Sequence, residues 1–156
     1  MTSAEGPPAA RYRAGELVGF AAALLAGGGL PDDRARVVAD VLVESDLLGH
    51  TTHGLGMLPR YLRSLEEGGM TREGDPVTLA DHGAALTWDG RYLPGPWLVK
   101  RAIAAARVRL ASHPVVTVVI RRAHHIGCLQ TYLKPVTDEG LVILLTCNDP
   151  SGAGVA

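Results

Sequence analysis

Four of the six histidines fall in two tight clusters, His50 with His53 and His124 with His125. Imidazole titrates near neutral pH, so it can give a proton to a forming alkoxide or take one from an alcohol. The first cluster reads Gly49-His50-Thr51-Thr52-His53-Gly54. A hydroxyl neighbour such as Thr52 can orient the ring or relay its proton, and the flanking glycines let backbone approach a ligand closely. The structural alternative is a capping turn, with Thr51 or Thr52 as an N-cap and His50 near a helix C-terminus. The second cluster is Ala123-His124-His125-Ile126-Gly127, expected between a strand and a helix. Open α/β sheets bind ligands there, beyond the carboxyl ends of their strands, and a following helix start offers amides to an anion. A loop that only connects is the alternative.

If the histidines converged they would suggest zinc, but His50-x-x-His53 is not the spacing of a zincin helix and H-E-x-x-H is absent. A His-rich metal-dependent hydrolase is therefore a minor alternative, and no metal site is assigned. Neither G-x-G-x-x-G nor a Walker A loop occurs, and Gly27-Gly28-Gly29 follows a helical stretch rather than a strand. G-x-S-x-G is missing too, which removes the simplest esterase reading. Arg121-Arg122 is left without a role.

The elements that must hold these clusters follow from apolar spacing. Leu17, Phe20, Ala21, Leu24 and Leu25 predict a helix over 15–26, stopped by the three glycines. Pro31-Asp32-Asp33 marks a second helix start, which Val37, Val38, Val41, Leu42, Ser45 and Leu48 continue to about Gly49. A third helix spans 58–65. Val77–Ala80 and Ala85–Trp88 read as short strands around Asp81-His82-Gly83. A helix over 98–110 precedes the β-branched run 115–120, expected to be a strand buried on both faces. Residues 129–139 read as a helix kinked by Pro135, and 141–146 as a last continuous apolar strand.

The expected fold class is α/β: an N-terminal helical segment, then a mixed sheet with covering helices. Residues 1–10 form a frayed tail, 11–70 the helical segment and 71–156 the start of an α/β cofactor-binding domain. Little follows the last strand, which points to an incomplete chain. The 156 residues are 47% hydrophobic with a formal charge of −1, which disfavours both disorder and a nucleic-acid face. Aromatic content of 4% is too low for a base-stacking platform. Cys128 and Cys147 match no C-x-x-C pattern, the first residues do not form a signal peptide, and no apolar run reaches the ~18 residues of a membrane span. A cytoplasmic protein with no membrane partner is expected.

The stretch Ser45-Asp46-Leu47-Leu48-Gly49-His50-Thr51-Thr52-His53-Gly54, followed by Leu58-Pro59-Arg60-Tyr61, resembles the segment A-D-L-R-G-H-x-S-H-G and L-P-R-Y of the malate/L-lactate dehydrogenase family. Arg122-Ala123-His124-His125-Ile126-Gly127 is similar to that family's S-x-H-F-G. The likeness runs from about Tyr12 onward. It implies a non-Rossmann, L-sulfolactate-dehydrogenase-like fold, usually a homodimer. The activity implied is hydride transfer between NAD or NADP and a small 2-hydroxy or 2-oxo acid. It further implies that His53 donates the proton, Thr52 belongs to a relay, and His125 lies where cofactor and substrate meet. His125, Ile126, Gly127, Cys128 and Leu129 would line the cofactor, Tyr61 would face the substrate, and Asp149 falls near a cofactor contact. Where the family commonly has a carboxylate-binding arginine, this chain has Met57, and Arg60, one turn on, is the substitute. The relay aspartate and most nicotinamide contacts would lie beyond Ala156, so a catalytically inactive fragment is the competing reading.

Overall fold

The computed structural model describes residues 11–148. The expected tail at 1–10 lies outside them. Helix α1 spans Ala14–Gly27 and α2 spans Asp32–Leu47. Pro31 precedes α2 with an extended backbone, and Asp32 and Asp33 sit in its first turn, against the positive end of the helix dipole. Gly49 ends it. Its φ of +84° belongs to the left-handed region, and the His50 amide reaches back to the Ser45 carbonyl at 2.8 Å. That backward bond satisfies an end carbonyl and turns the chain, delivering His50 and His53 to the surface beyond the helix. Two short 3-10 turns, Thr51–His53 and Leu55–Met57, lead into α3, Leu58–Glu66, with Pro59 in its first turn.

Strands β1 (Val77–Asp81) and β2 (Ala85–Asp89) form an antiparallel hairpin closed by the Gly83 amide on the Asp81 carboxylate. Helix α4, Gly95–Arg109, crosses over to β3, Thr117–Arg121, which pairs parallel to β2. The sheet order is β1-β2-β3. Val118 and Ile120 pack with Leu86, Trp88 and Ala102, so α4 covers one face. Thr117, Val119 and Arg121 are exposed on the other. The expectation that β3 is buried on both faces does not hold among the described residues, where one covering layer shields every second side chain.

Two further expectations are corrected. Residues 129–139 do not form one kinked helix. A 3-10 turn, Leu129–Tyr132, is followed by the single-turn helix α5, Lys134–Thr137, in which Pro135 occupies a first-turn position where its missing N–H costs nothing. Residues 141–146 form no strand, because no neighbouring strand among the described residues offers a ladder to pair with.

Helices α1, α2 and α3 share an apolar core of Val18, Ala21, Leu25, Val38, Leu42, Tyr61 and Leu65 with their neighbours. The next face of α2 presents Val41 to Val99 of α4 and to Tyr132. Arg34, also on α2, lies 4.1 Å above the Trp97 ring and donates to the carbonyls of Arg72 and Gly74. Helix α2 thus fixes the first histidine cluster relative to the sheet that carries the second.

Candidate active site

The Schellman-type turn after α2 and the loop after β3 bring the two clusters together. The rings of His53 and His125 stack with centroids 5.6 Å apart and planes 22° from parallel. Thr52 Oγ1 and His53 Nδ1 share a hydrogen bond of 3.0 Å. Nε2 of His53 has no hydrogen-bond partner among the described residues. The turn holding them is pinned from behind: the Asp46 carboxylate accepts the Leu55 amide at 2.8 Å. A Cβ on Gly54 would overlap that carboxylate, so the residue after His53 must be glycine while Asp46 stays in place.

Tyr61 comes up from α3 and is fully buried. Its hydroxyl stands 2.9 Å from Nδ1 of His125 and 3.0 Å from the His125 carbonyl oxygen. The Gly127 amide also donates to Nδ1, at 3.3 Å. Nδ1 is therefore an acceptor, and a neutral His125 carries its proton on Nε2. Burial pushes the Tyr61 phenol far above its ordinary range, with the Arg60 charge offsetting part of the rise, so it remains a donor. His124 packs edge-on to the Tyr61 ring at 5.4 Å. Burial first, then the charges of His125 and Arg60, lower its pKa to about 4, so it is neutral at pH 7. Its Nδ1 is buried without a hydrogen-bond partner.

The loop beyond His125 is held by backbone fit. Gly127 has φ +77°, and a Cβ there would stand 2.9 Å from Val41 Cγ1. Tyr132 donates its hydroxyl to the Ile126 carbonyl, and the Thr131 hydroxyl bonds the Cys128 carbonyl at 2.7 Å. His125, Ile126 and Leu129 keep partial exposure, while Gly127 and Cys128 are buried. His50 meets Gln130 at 2.7 Å, tying the first cluster to this loop by a second route.

The structure thus brings together Thr52, His53, Tyr61, His125, Ile126 and Gly127. Arg60 is exposed, and its charge acts on Tyr61 and His124. Met57 packs against the helical core instead. Asp149 lies outside the described residues. Sequence reasoning named His124 only as a cluster member and gave no role to Asp46 or Gly95. Asp46 sits inside the quoted motif, but its partner, an amide nine residues on, leaves no trace in residue type. Arg121 and Arg122 acquire a place as well: both bind the buried carboxylate of Asp89 at the ends of the parallel strands, and they hold its pKa well below the carboxylate range. Among the described residues no three His, Cys, Asp or Glu side chains group as metal ligands.

A mixed α/β fold with a histidine pair at the carboxyl end of a parallel strand defines the class, and comparison supplies the family. The malate/L-lactate dehydrogenase family pattern matches residues 12–155, and the chain belongs to that family. It is 31% identical over 132 residues to hydroxycarboxylate dehydrogenase B of Escherichia coli, covering 85% of this chain and 37% of that protein. It is 34% identical over 125 residues to an L-lactate dehydrogenase of Cupriavidus necator, covering 80% and 36%. The solved sulfolactate dehydrogenase of Methanocaldococcus jannaschii superposes with a TM-score of 0.77 at 27% identity, over 81% of this chain and 37% of that one. The chain spans little more than a third of the length of these relatives. Among the described residues no helix is long and apolar enough to cross a membrane.

Proposed function

We propose that this chain carries the proton-transfer half of a 2-hydroxyacid dehydrogenase site. One observation carries the reading: a hydroxyl-supported His53 stacked on a tyrosine-supported His125. In the reductive direction His53 is an imidazolium, with Nδ1–H given to Thr52 Oγ1 and Nε2–H facing outward. It passes the Nε2 proton to the alkoxide formed from a 2-oxo acid. In the oxidative direction the neutral ring, still held at Nδ1, takes the alcohol proton at Nε2. Keeping the hydrogen bond at Nδ1 in both states fixes which nitrogen reacts.

The His125 ring lies stacked against that of His53. Tyr61, buried and committed to His125, is a positioning residue on this reading rather than a substrate contact. Exposed Arg60 supplies the charge for the substrate carboxylate, which Met57 in its core position does not. The partly exposed edges of His125, Ile126 and Leu129, with the orphan Nδ1 of His124 nearby, fit a flat, half-polar group such as nicotinamide. When bound, NAD or NADP supplies the hydride. The names of the relatives support a small hydroxy or oxo acid as substrate. The proposal includes the division into a helical segment, 11–70, and the opening of the cofactor domain, 71–156. It includes a homodimer working in the cytoplasm, and Asp149 as a further cofactor contact.

The test is His53→Ala in the full-length protein, followed by reduction of pyruvate and oxaloacetate with NADH and with NADPH. Turnover is expected to vanish with the fold intact, and near-normal rates overturn the assignment. Titrating the 156-residue chain with NADH and NADPH by nicotinamide fluorescence separates a competent site, which saturates, from an inactive fragment, which does not bind.

A further inference from the structure

Gly95 opens helix α4 and belongs to neither histidine motif. A Cβ built on it would stand 2.3 Å from the carbonyl oxygen of His124, 2.3 Å from that of His125 and 2.6 Å from the His125 carbonyl carbon. All three are backbone atoms, so no side-chain rotation relieves the overlap. The His125 oxygen is also the one that accepts the Tyr61 hydroxyl. The same strip of chain is anchored just upstream, where the His124 amide donates to the Leu93 carbonyl at 3.2 Å. Pro94 and Pro96 flank the contact, both almost fully buried, and they restrict the backbone on either side.

We propose that Gly95 is a positioning residue for the histidine pair. The bare Cα of α4 lets the His124–His125 backbone seat directly on the helix start. That seating places the His125 carbonyl and Nδ1 together under the Tyr61 hydroxyl and sets the ring against His53. Any side chain at 95 lifts the carbonyls away from the helix. The Tyr61 hydrogen bonds lengthen, and His125 loses its alignment with His53 while the hairpin and the helical core stay in place. The inference rests on the site reading above, but its test needs no turnover.

The test records long-range 1H–15N spectra of the histidine rings in the 15N-labelled chain, comparing wild type, Gly95→Ala and Tyr61→Phe. Tyr61→Phe removes the hydroxyl 2.9 Å from Nδ1, so it marks the ring-nitrogen shift of a His125 that has lost its Tyr61 contact and keeps that of the Gly127 amide. Gly95→Ala is expected to move the His125 Nδ1 signal in the same direction, and the double variant to move it no further. His82 and His113, elsewhere in the fold, should stay where they are. An unmoved His125 in a folded Gly95→Ala chain overturns the proposal. If Gly95→Ala does not fold, Pro94→Gly takes its place, freeing the helix entry without adding an atom at 95. Exchange broadening or a shift of the His125 signal is then expected, and a wild-type spectrum overturns the proposal. Shifted His125 signals in a full-length enzyme that keeps normal rates would instead sink the functional reading while leaving the role of Gly95 standing.

Discussion

One buried hydroxyl, that of Tyr61, lies within 3.0 Å of both the ring nitrogen and the backbone oxygen of His125. Side chain and main chain of the same histidine are therefore read from a single point on α3. Tyr61→Phe keeps the packing and removes both contacts. It is expected to lower unfolding free energy by about 1–3 kcal/mol, the usual cost of taking a hydrogen-bond partner from part-buried polar groups. Urea unfolding with an unchanged m-value checks it.

The burial of His124 sets a pH dependence. Its folded pKa of about 4 lies below the 6.5 of an unperturbed imidazole. Above pH 6.5 both folded and unfolded chains hold it neutral. As pH falls from 6.5 towards 4 the unfolded chain takes up a proton that the folded chain refuses, so stability is lost across that window. The expected loss is about 2–3 kcal/mol by the conversion of pKa shift to free energy. Unfolding midpoints at pH 7, 5.5 and 4.5 measure it. His124→Phe, which has no proton to bind, should flatten the part of the curve between pH 6.5 and 5.

Gly127 is required twice, by its positive φ and by Val41. Gly127→Ala is expected to cost about 1–3 kcal/mol, from the left-handed backbone and the tight contact together. In a Val41→Ala background the contact disappears and only the backbone part remains. A double-mutant cycle on unfolding free energies should therefore show favourable coupling, and additive effects would rule out the contact.

Asp46 steadies the turn that presents His53. Asp46→Ala strands the Leu55 amide and should lower stability by about 1–2 kcal/mol, while Asp46→Asn, which keeps an acceptor oxygen, recovers most of it. The same pair in the full-length enzyme should separate in kcat more than in KM if the turn positions the proton donor.

Much of this fold is legible in the sequence where one local cause decides. Pro31-Asp32-Asp33 starts α2 and Gly49 ends it; Asp81-His82-Gly83 makes the hairpin turn. What failed were judgements about neighbours. A β-branched run says strand, but whether one face or two is covered depends on helices elsewhere, and among the described residues β3 has one face covered. At the site, the motifs yielded His53, Thr52 and His125 because their residue types carry chemistry. Gly95 and Asp46 stayed hidden because their contributions are distances to backbone atoms, which residue type does not encode. Arg60 and Met57 parted company once α3 was built, one facing solvent and the other the core.

The segment 141–146 has a consequence for handling the protein. It reads Leu-Val-Ile-Leu-Leu-Thr, without charge or proline, and Val142 and Leu144 are 98% and 89% exposed. A six-residue run of that composition, in which the Leu141 amide alone makes a backbone hydrogen bond among the described residues, has the signature of a cross-β segment. Solutions of this chain will be limited by aggregation through that run before they are limited by unfolding. A lysine in place of Val142 should raise the usable concentration without touching the histidine pair.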